Sequence, residues 1–438
     1  MRRMLLSFAC VSLALAASAA CATSDDGPID PAPSADGGGD LRLDAEAPVD
    51  AGADAPLDAR REPPTCSPAG WCPTELPDDS FDFVDIHPFP NRAFGIGANE
   101  VIGLKVLEWE KSTNQWSFID DNQPNGVSRN LTNIWAPSED EVYVAQMGID
   151  FSTFAFLGTV YHGRRSKAPA TSWTWEALPS QKCGQFATPL VRGTGPNDIY
   201  LSFCNSVYRL NPTAAGDGGD ASPWTLEYSF EENPDNVLIT DIVGTGPDDL
   251  WIAGGRGSQD FLSTGYGGCG ILVHKDASGY TLVADGNADP TTGECSTKEG
   301  FERIPGAFTY GANIAGNRQF VGVTRVSIET TDVAKIVVNA DGTITHSTSH
   351  PTVPTGIVMM SMWGLSPDEL WFVTGRYAGG GSTVLQGTNV FTGGGSYEYS
   401  TVSINGESNP RPFHRIRGTS NADLWAIGDR RALHKTNP

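Results

Sequence analysis

IVGTGPDDLW, residues 242–251, opens on an aliphatic residue, places a small residue third and an acid eighth, and ends on an aliphatic-aromatic pair. The same frame returns without gaps in IWAPSEDEVY from Ile134, VRGTGPNDIY from Val191, MWGLSPDELW from Met362 and IRGTSNADLW from Ile416. Short apolar stretches on either side of a Pro, Gly and Asp cluster read as two strands joined by a tight turn. A hairpin that recurs at a fixed period marks a repeat architecture.

The period counts the units. Window starts at 134, 191, 242, 362 and 416 lie 51 to 57 residues apart, except for one gap of 120, which is two periods. The degenerate IPGAFTYGANIAG from Ile304 is expected to fill that gap, and IHPFPNRAFGIG from Ile86 supplies a first unit 48 residues before Ile134. Seven units of about fifty residues, each with four short strands, predict an all-β chain folded as a seven-bladed β-propeller. The third strand recurs as TVYHG, SVYRL, ILVHK and RALHK, and the fourth opens on an aromatic such as Trp116, Trp175 or Trp224. After RALHKTNP the chain ends without a fourth strand, whereas WCPTELP from Trp71 resembles the fourth strand WEALPS from Trp175. The N-terminal strand is therefore expected to complete the last blade and remove the open edge.

The windows resemble the repeats of bacterial exported or lipid-anchored proteins of the form W-G-T/S-S-P-x-D-V-W-A-V-G, and the likeness runs through residues 66–438. It implies the propeller architecture and a location outside the cytoplasm. No reaction follows from it, because a fold does not specify chemistry.

The N-terminus fits that location. Arg2 and Arg3, an apolar run from Met4 to Ala20 and the small residues before Cys21 read as a signal peptide over 1–20. Cys21 is in place to be lipidated as the first mature residue, anchoring the protein at the outer membrane or cell surface; Ser18 replaces the usual Leu, so ordinary cleavage and secretion is the alternative. Residues 21–65, rich in Asp, Ala, Pro and Gly, read as a disordered acidic tether, with 66–438 as the propeller.

The remaining chemistry is sparse. A net charge of -23 argues against nucleic acid as a partner. Six cysteines remain in a chain bound for an oxidising compartment, and the strand order pairs Cys183 with Cys204 and Cys269 with Cys295, leaving Cys66 and Cys72 as a local clip. No spacing of Cys or His suits zinc, and the calcium-loop start at Asp285 lacks the required Gly and final Glu, so neither metal nor cofactor is expected. The repeated acids Glu141, Asp198, Asp249, Glu369 and Asp423 follow each turn and read as caps. His162, His274 and His434 share a third-strand register with Arg209 and read as blade-face residues.

One pattern resists a purely structural reading. The second window position, on the strand nearest the axis, varies among His87, Trp135, Arg192, Val243, Trp363 and Arg417, and the fifteenth is Arg256, Arg376 and Arg430. Arginine and tryptophan around a central mouth suit an anionic or sugar ligand. The plainer reading is that these arginines pair with neighbouring acids. Two functions follow: a monomeric, non-catalytic binding or scaffold propeller that takes a glycan or protein partner on one face and touches membrane through its anchor, or a polysaccharide-active hydrolase or lyase with its site at the axis.

Overall fold

The computed structural model describes residues 65–438 except 123, 125–131, 168–171, 185–186, 212–221, 231–236, 258–266, 290, 317, 328, 355–356, 377–381, 393–394, 404–410 and 437–438. The side chains of 310–313, 315 and 376 are likewise not described. The signal segment, Cys21 and the tether as far as residue 64 lie outside the described residues. Among those described, no helix is long and apolar enough to cross a membrane.

The chain is a seven-bladed β-propeller built from successive antiparallel sheets. The innermost strands of blades one to seven are Asp82–Pro88, Thr132–Ser138, Leu190–Gly195, Val237–Gly246, Ala307–Gly316, Ile357–Ser366 and Phe413–Ser420. Each contacts the next, and the seventh contacts the first, so they form a closed ring around the axis.

The repeated window is explained by contacts. Its third position is small because strand one turns tightly against the start of strand two: a Cβ on Gly244 would stand 2.3 Å from the carbonyl oxygen of Asp249, and one on Gly364 2.4 Å from that of Glu369. The closing aromatic lies across the ladder from the second position in every blade, as in Val243 opposite Trp251 and Arg417 opposite Trp425. Phe94, Tyr143, Tyr200, Trp251, Phe320, Trp371 and Trp425 are all buried, filling the seams between blades at roughly 2–3 kcal/mol each.

Closure follows the expected route. Trp71, Cys72 and Pro73 pair with Lys435, His434 and Leu433, so the N-terminal strand is the fourth strand of blade seven. Trp71 is fully buried and its Nε1 donates to Ser400 Oγ of blade six at 2.9 Å. Thr74 Oγ1 donates to the Ala432 carbonyl at 3.0 Å and accepts from Trp116 Nε1 of blade one at 2.9 Å. The closing segment thus ties three blades together.

Blade five departs from the expected alignment. Ile304 precedes the inner strand, and the residue opposite Val321, in the register of Ile242 opposite Ile252, is Ile314. The ladder slips between Phe308 and Asn313, and the turn to strand two is short, with Gly316 facing Gln319. The residues ahead of Ile304 belong to an insertion after blade four, a hairpin of Gly286–Ala288 and Cys295–Thr297. All three expected disulfides are present, with Cα separations of 4.2 Å for Cys66–Cys72, 6.4 Å for Cys183–Cys204 and 5.0 Å for Cys269–Cys295. Such bonds fit an extracellular or periplasmic setting.

Candidate functional site at the propeller axis

The residue immediately before each window start sits at a β-bulge in the inner strand in blades one, four, six and seven: Asp85, Asp241, Ser361 and Arg415. A bulge re-aims its side chain. Here the result is a shared polar ring. Asp85 Oδ2 accepts from Asn133 Nδ2 at 2.6 Å and from the Ile134 N–H at 3.3 Å, Asn133 Oδ1 accepts from the Val191 N–H at 2.9 Å, and Ser361 Oγ accepts from the Ile416 N–H at 3.2 Å. Each contact joins one blade to the next.

Charges from four blades meet on this ring. Arg192 Nε donates to Asp241 Oδ1 at 3.2 Å, its Nη2 lies 3.6 Å from Asp85 Oδ2, and its Nη1 donates to the Ile134 carbonyl at 3.1 Å. Arg415 Nε stands 3.7 Å and Arg417 Nη2 4.0 Å from Asp85 Oδ1, while Arg417 Nη1 donates to Ser361 Oγ at 3.2 Å. Asp85 and Asp241 are each 1% exposed. Burial alone would raise the Asp85 carboxyl, but Arg192, Arg417 and Arg415, with the Ile86 N–H, outweigh it and hold it below the usual carboxylate range.

His87 faces the same cluster. Burial, reinforced by Arg192 and opposed by Asp85, lowers its pKa to about 3, so the imidazole is neutral at pH 7. The unfolded chain takes up this proton below about pH 6.5 and the native state does not, so the contribution is complete above that pH and is lost as pH falls towards 3. Urea titrations between pH 7 and pH 4 should therefore show the parent losing up to about 1.4 kcal/mol per pH unit relative to His87→Gln. Parallel pH profiles for the two proteins would contradict this.

The other expected site residues are placed differently. Trp135 is buried and covers Gly193 of the next blade, where a Cβ would lie 2.5 Å from its ring. Trp363 covers Gly418 in the same way at 3.3 Å. Both are therefore seam fillers. Arg256 is engaged in a two-pronged pair with Asp285, at 3.0 and 3.2 Å, and Lys298 Nζ joins the same carboxylate at 3.0 Å. Arg430 is exposed in the turn between strands two and three of blade seven, at φ 55°. The Arg376 side chain lies outside the described residues. The structure thus gathers His87, Arg192 and Arg417, and adds Asp85, Asp241 and Arg415, whose signal was a polar residue one place before the window.

The repeated acids and histidines form a structural unit on the outer blades. Asp249 Oδ2 accepts from Thr245 Oγ1 at 2.6 Å, and its Oδ1 meets Trp251 Nε1 at 3.2 Å and His274 Nε2 at 3.1 Å. His274 stacks on Trp251 with centroids 4.1 Å apart. Blade two repeats the arrangement with Glu141, Tyr143 and His162, and blade seven keeps the His434 contact to Asp423 and the His434 stack on Trp425. Arg209 stands in for the histidine beside Asp198 in blade three, at 3.3 Å.

No family model matches the chain, and no curated protein matches it. Solved structures similar to it include a PL25 ulvan lyase of a new polysaccharide lyase family (10% identity, 84% of this chain and 96% of that one, TM-score 0.48). A fucose-specific lectin from Aleuria aurantia is 11% identical over 76% of this chain and 100% of its own, with TM-score 0.38. A GH43 endo-arabinanase from Bacillus licheniformis is 13% identical over 62% of this chain and 99% of its own, with TM-score 0.30. Likenesses this distant carry no argument about a ligand or a reaction.

Proposed function

We propose that the protein is a non-catalytic binding propeller, carried outside the cytoplasm on the tether behind a lipidated Cys21, that takes the acidic group of an anionic glycan at its axial mouth. The carrying observation is the charge balance there. Among the described residues, Arg192, Arg415 and Arg417 face Asp85 and Asp241, which leaves one positive charge in excess while His87 stays neutral. Arg415 Nε is buried without a hydrogen bond among the described residues and stands 3.7 Å from Asp85 Oδ1. A cation so placed in a chain of net charge -23 favours a small anion over a bulk polyanion. The likeness of the repeats to those of exported bacterial proteins supports the location.

Arg415→Gln removes the excess charge while Arg192 keeps its pairs with Asp85 and Asp241. Calorimetric titration of uronate-containing or sulfated oligosaccharides should give binding about 10- to 100-fold weaker in the variant than in the parent, the worth of one charged hydrogen bond. Equal affinities would overturn the axial assignment.

A further inference from the structure

Arg431 opens the third strand of blade seven and is 6% exposed, yet none of its three guanidinium nitrogens makes a hydrogen bond among the described residues. Its guanidinium carbon lies 4.2 Å from the centroid of the Phe413 ring. Phe413 supplies a face but no counter-charge. Asp429, two residues back, is engaged by His414 Nε2 at 2.7 Å. Burial, reinforced by the like charge of Arg411 and opposed by the Asp429 carboxylate, lowers the Arg431 pKa to about 9. Arg411 and Arg430 are both exposed. A buried guanidinium whose donors are unmet among the described residues is costly, and its planar fork matches the paired oxygens of an oxyanion.

We propose that the seam between blades six and seven holds a small oxyanion group, a sulfate, phosphate or carboxylate, on the guanidinium of Arg431, with Arg411 at the rim on the side open to solvent. Arg431 stands on the third strand of blade seven, two strands out from the inner strand that carries Arg415 and Arg417, and in the blade that the N-terminal strand closes. An anion bound there removes the charge penalty from the closing blade.

Thermal unfolding at matched ionic strength in chloride, sulfate, phosphate or glucuronate tests it. The parent's midpoint should rise saturably in at least one oxyanion relative to chloride, and the four salts show whether sulfate, phosphate or carboxylate is preferred. Arg431→Met should lose that response while being at least as stable as the parent in chloride. Arg415→Gln should retain it, which separates this site from the axial one. An equal rise in the parent and Arg431→Met, or no rise in the parent, would overturn the proposal. Should Arg431→Met fail to fold, Arg411→Ala, altered at an exposed position, is titrated calorimetrically with the oxyanion to which the parent responds. About tenfold weaker binding is expected there, and unchanged affinity refutes the site.

Discussion

Asp85→Asn lowers the free energy of unfolding by about 3–5 kcal/mol at pH 7. The substitution keeps the shape of the side chain and removes the negative charge on which Arg192, Arg415 and Arg417 converge. It also weakens an acceptor used by Asn133 Nδ2 and by the N–H groups of Ile86 and Ile134. Because the carboxyl is held below its ordinary value in the native state, its contribution is complete above about pH 4 and is lost as pH falls through the lowered native value. The gap between parent and variant should therefore narrow in acid. Equilibrium denaturation from pH 7 to pH 3 measures both effects, and a loss under 1 kcal/mol at pH 7 would mean that the axial carboxylate is solvated rather than the anchor of the ring.

Trp71→Ala costs about 3–5 kcal/mol, the range for emptying a buried tryptophan site. Its ring is fully buried and packs edge-on to Trp371 with centroids 6.2 Å apart, so the cavity opens in the seam between blades six and seven. Trp71→Phe should recover most of the loss and leave the hydrogen bond to Ser400 unmade. A chain beginning at residue 78 leaves strand Arg431–Lys435 with an unpaired edge, and such an edge invites pairing between molecules. Denaturation of the point variants and light scattering of the truncated chain read these outcomes. Parent-like stability of Trp71→Ala would contradict closure by this strand.

The propeller was legible because its repeat is enforced by contacts that tolerate few residues. Gly244, Gly364 and Gly418 lie against a carbonyl of the same hairpin, and the aromatic that ends each window has a seam to fill. Blade five escaped because both features changed together. Its turn contracts between Gly316 and Gln319, Phe320 replaces the tryptophan without the preceding aliphatic-acid pattern, and the insertion after blade four supplies a misleading aliphatic residue at Ile304. Closure could be read from the missing fourth strand and from the tryptophan of WCPTELP.

The axial site was half legible. Counting positions found Arg192 and Arg417, since variation at one register of an inner strand is visible in sequence. It passed over Asp85 and Asp241 because a bulge shifts the side-chain alternation by one residue, and a bulge has no fixed sequence mark. Counting also grouped Arg256 with the axial arginines, although it pairs with Asp285 at the start of the insertion. Pairing of that kind depends on a loop whose path the repeat does not encode.

A panel of sulfated, uronate-bearing and neutral oligosaccharides, presented to the folded propeller with reducing ends measured in the same solutions, tests the central claim most directly. The account predicts retention of acidic glycans over their neutral counterparts, weakening of that retention in Arg415→Gln, and no new reducing ends. Indifference to the acidic group, or the appearance of new reducing ends, would contradict a non-catalytic anion-binding mouth at the axis.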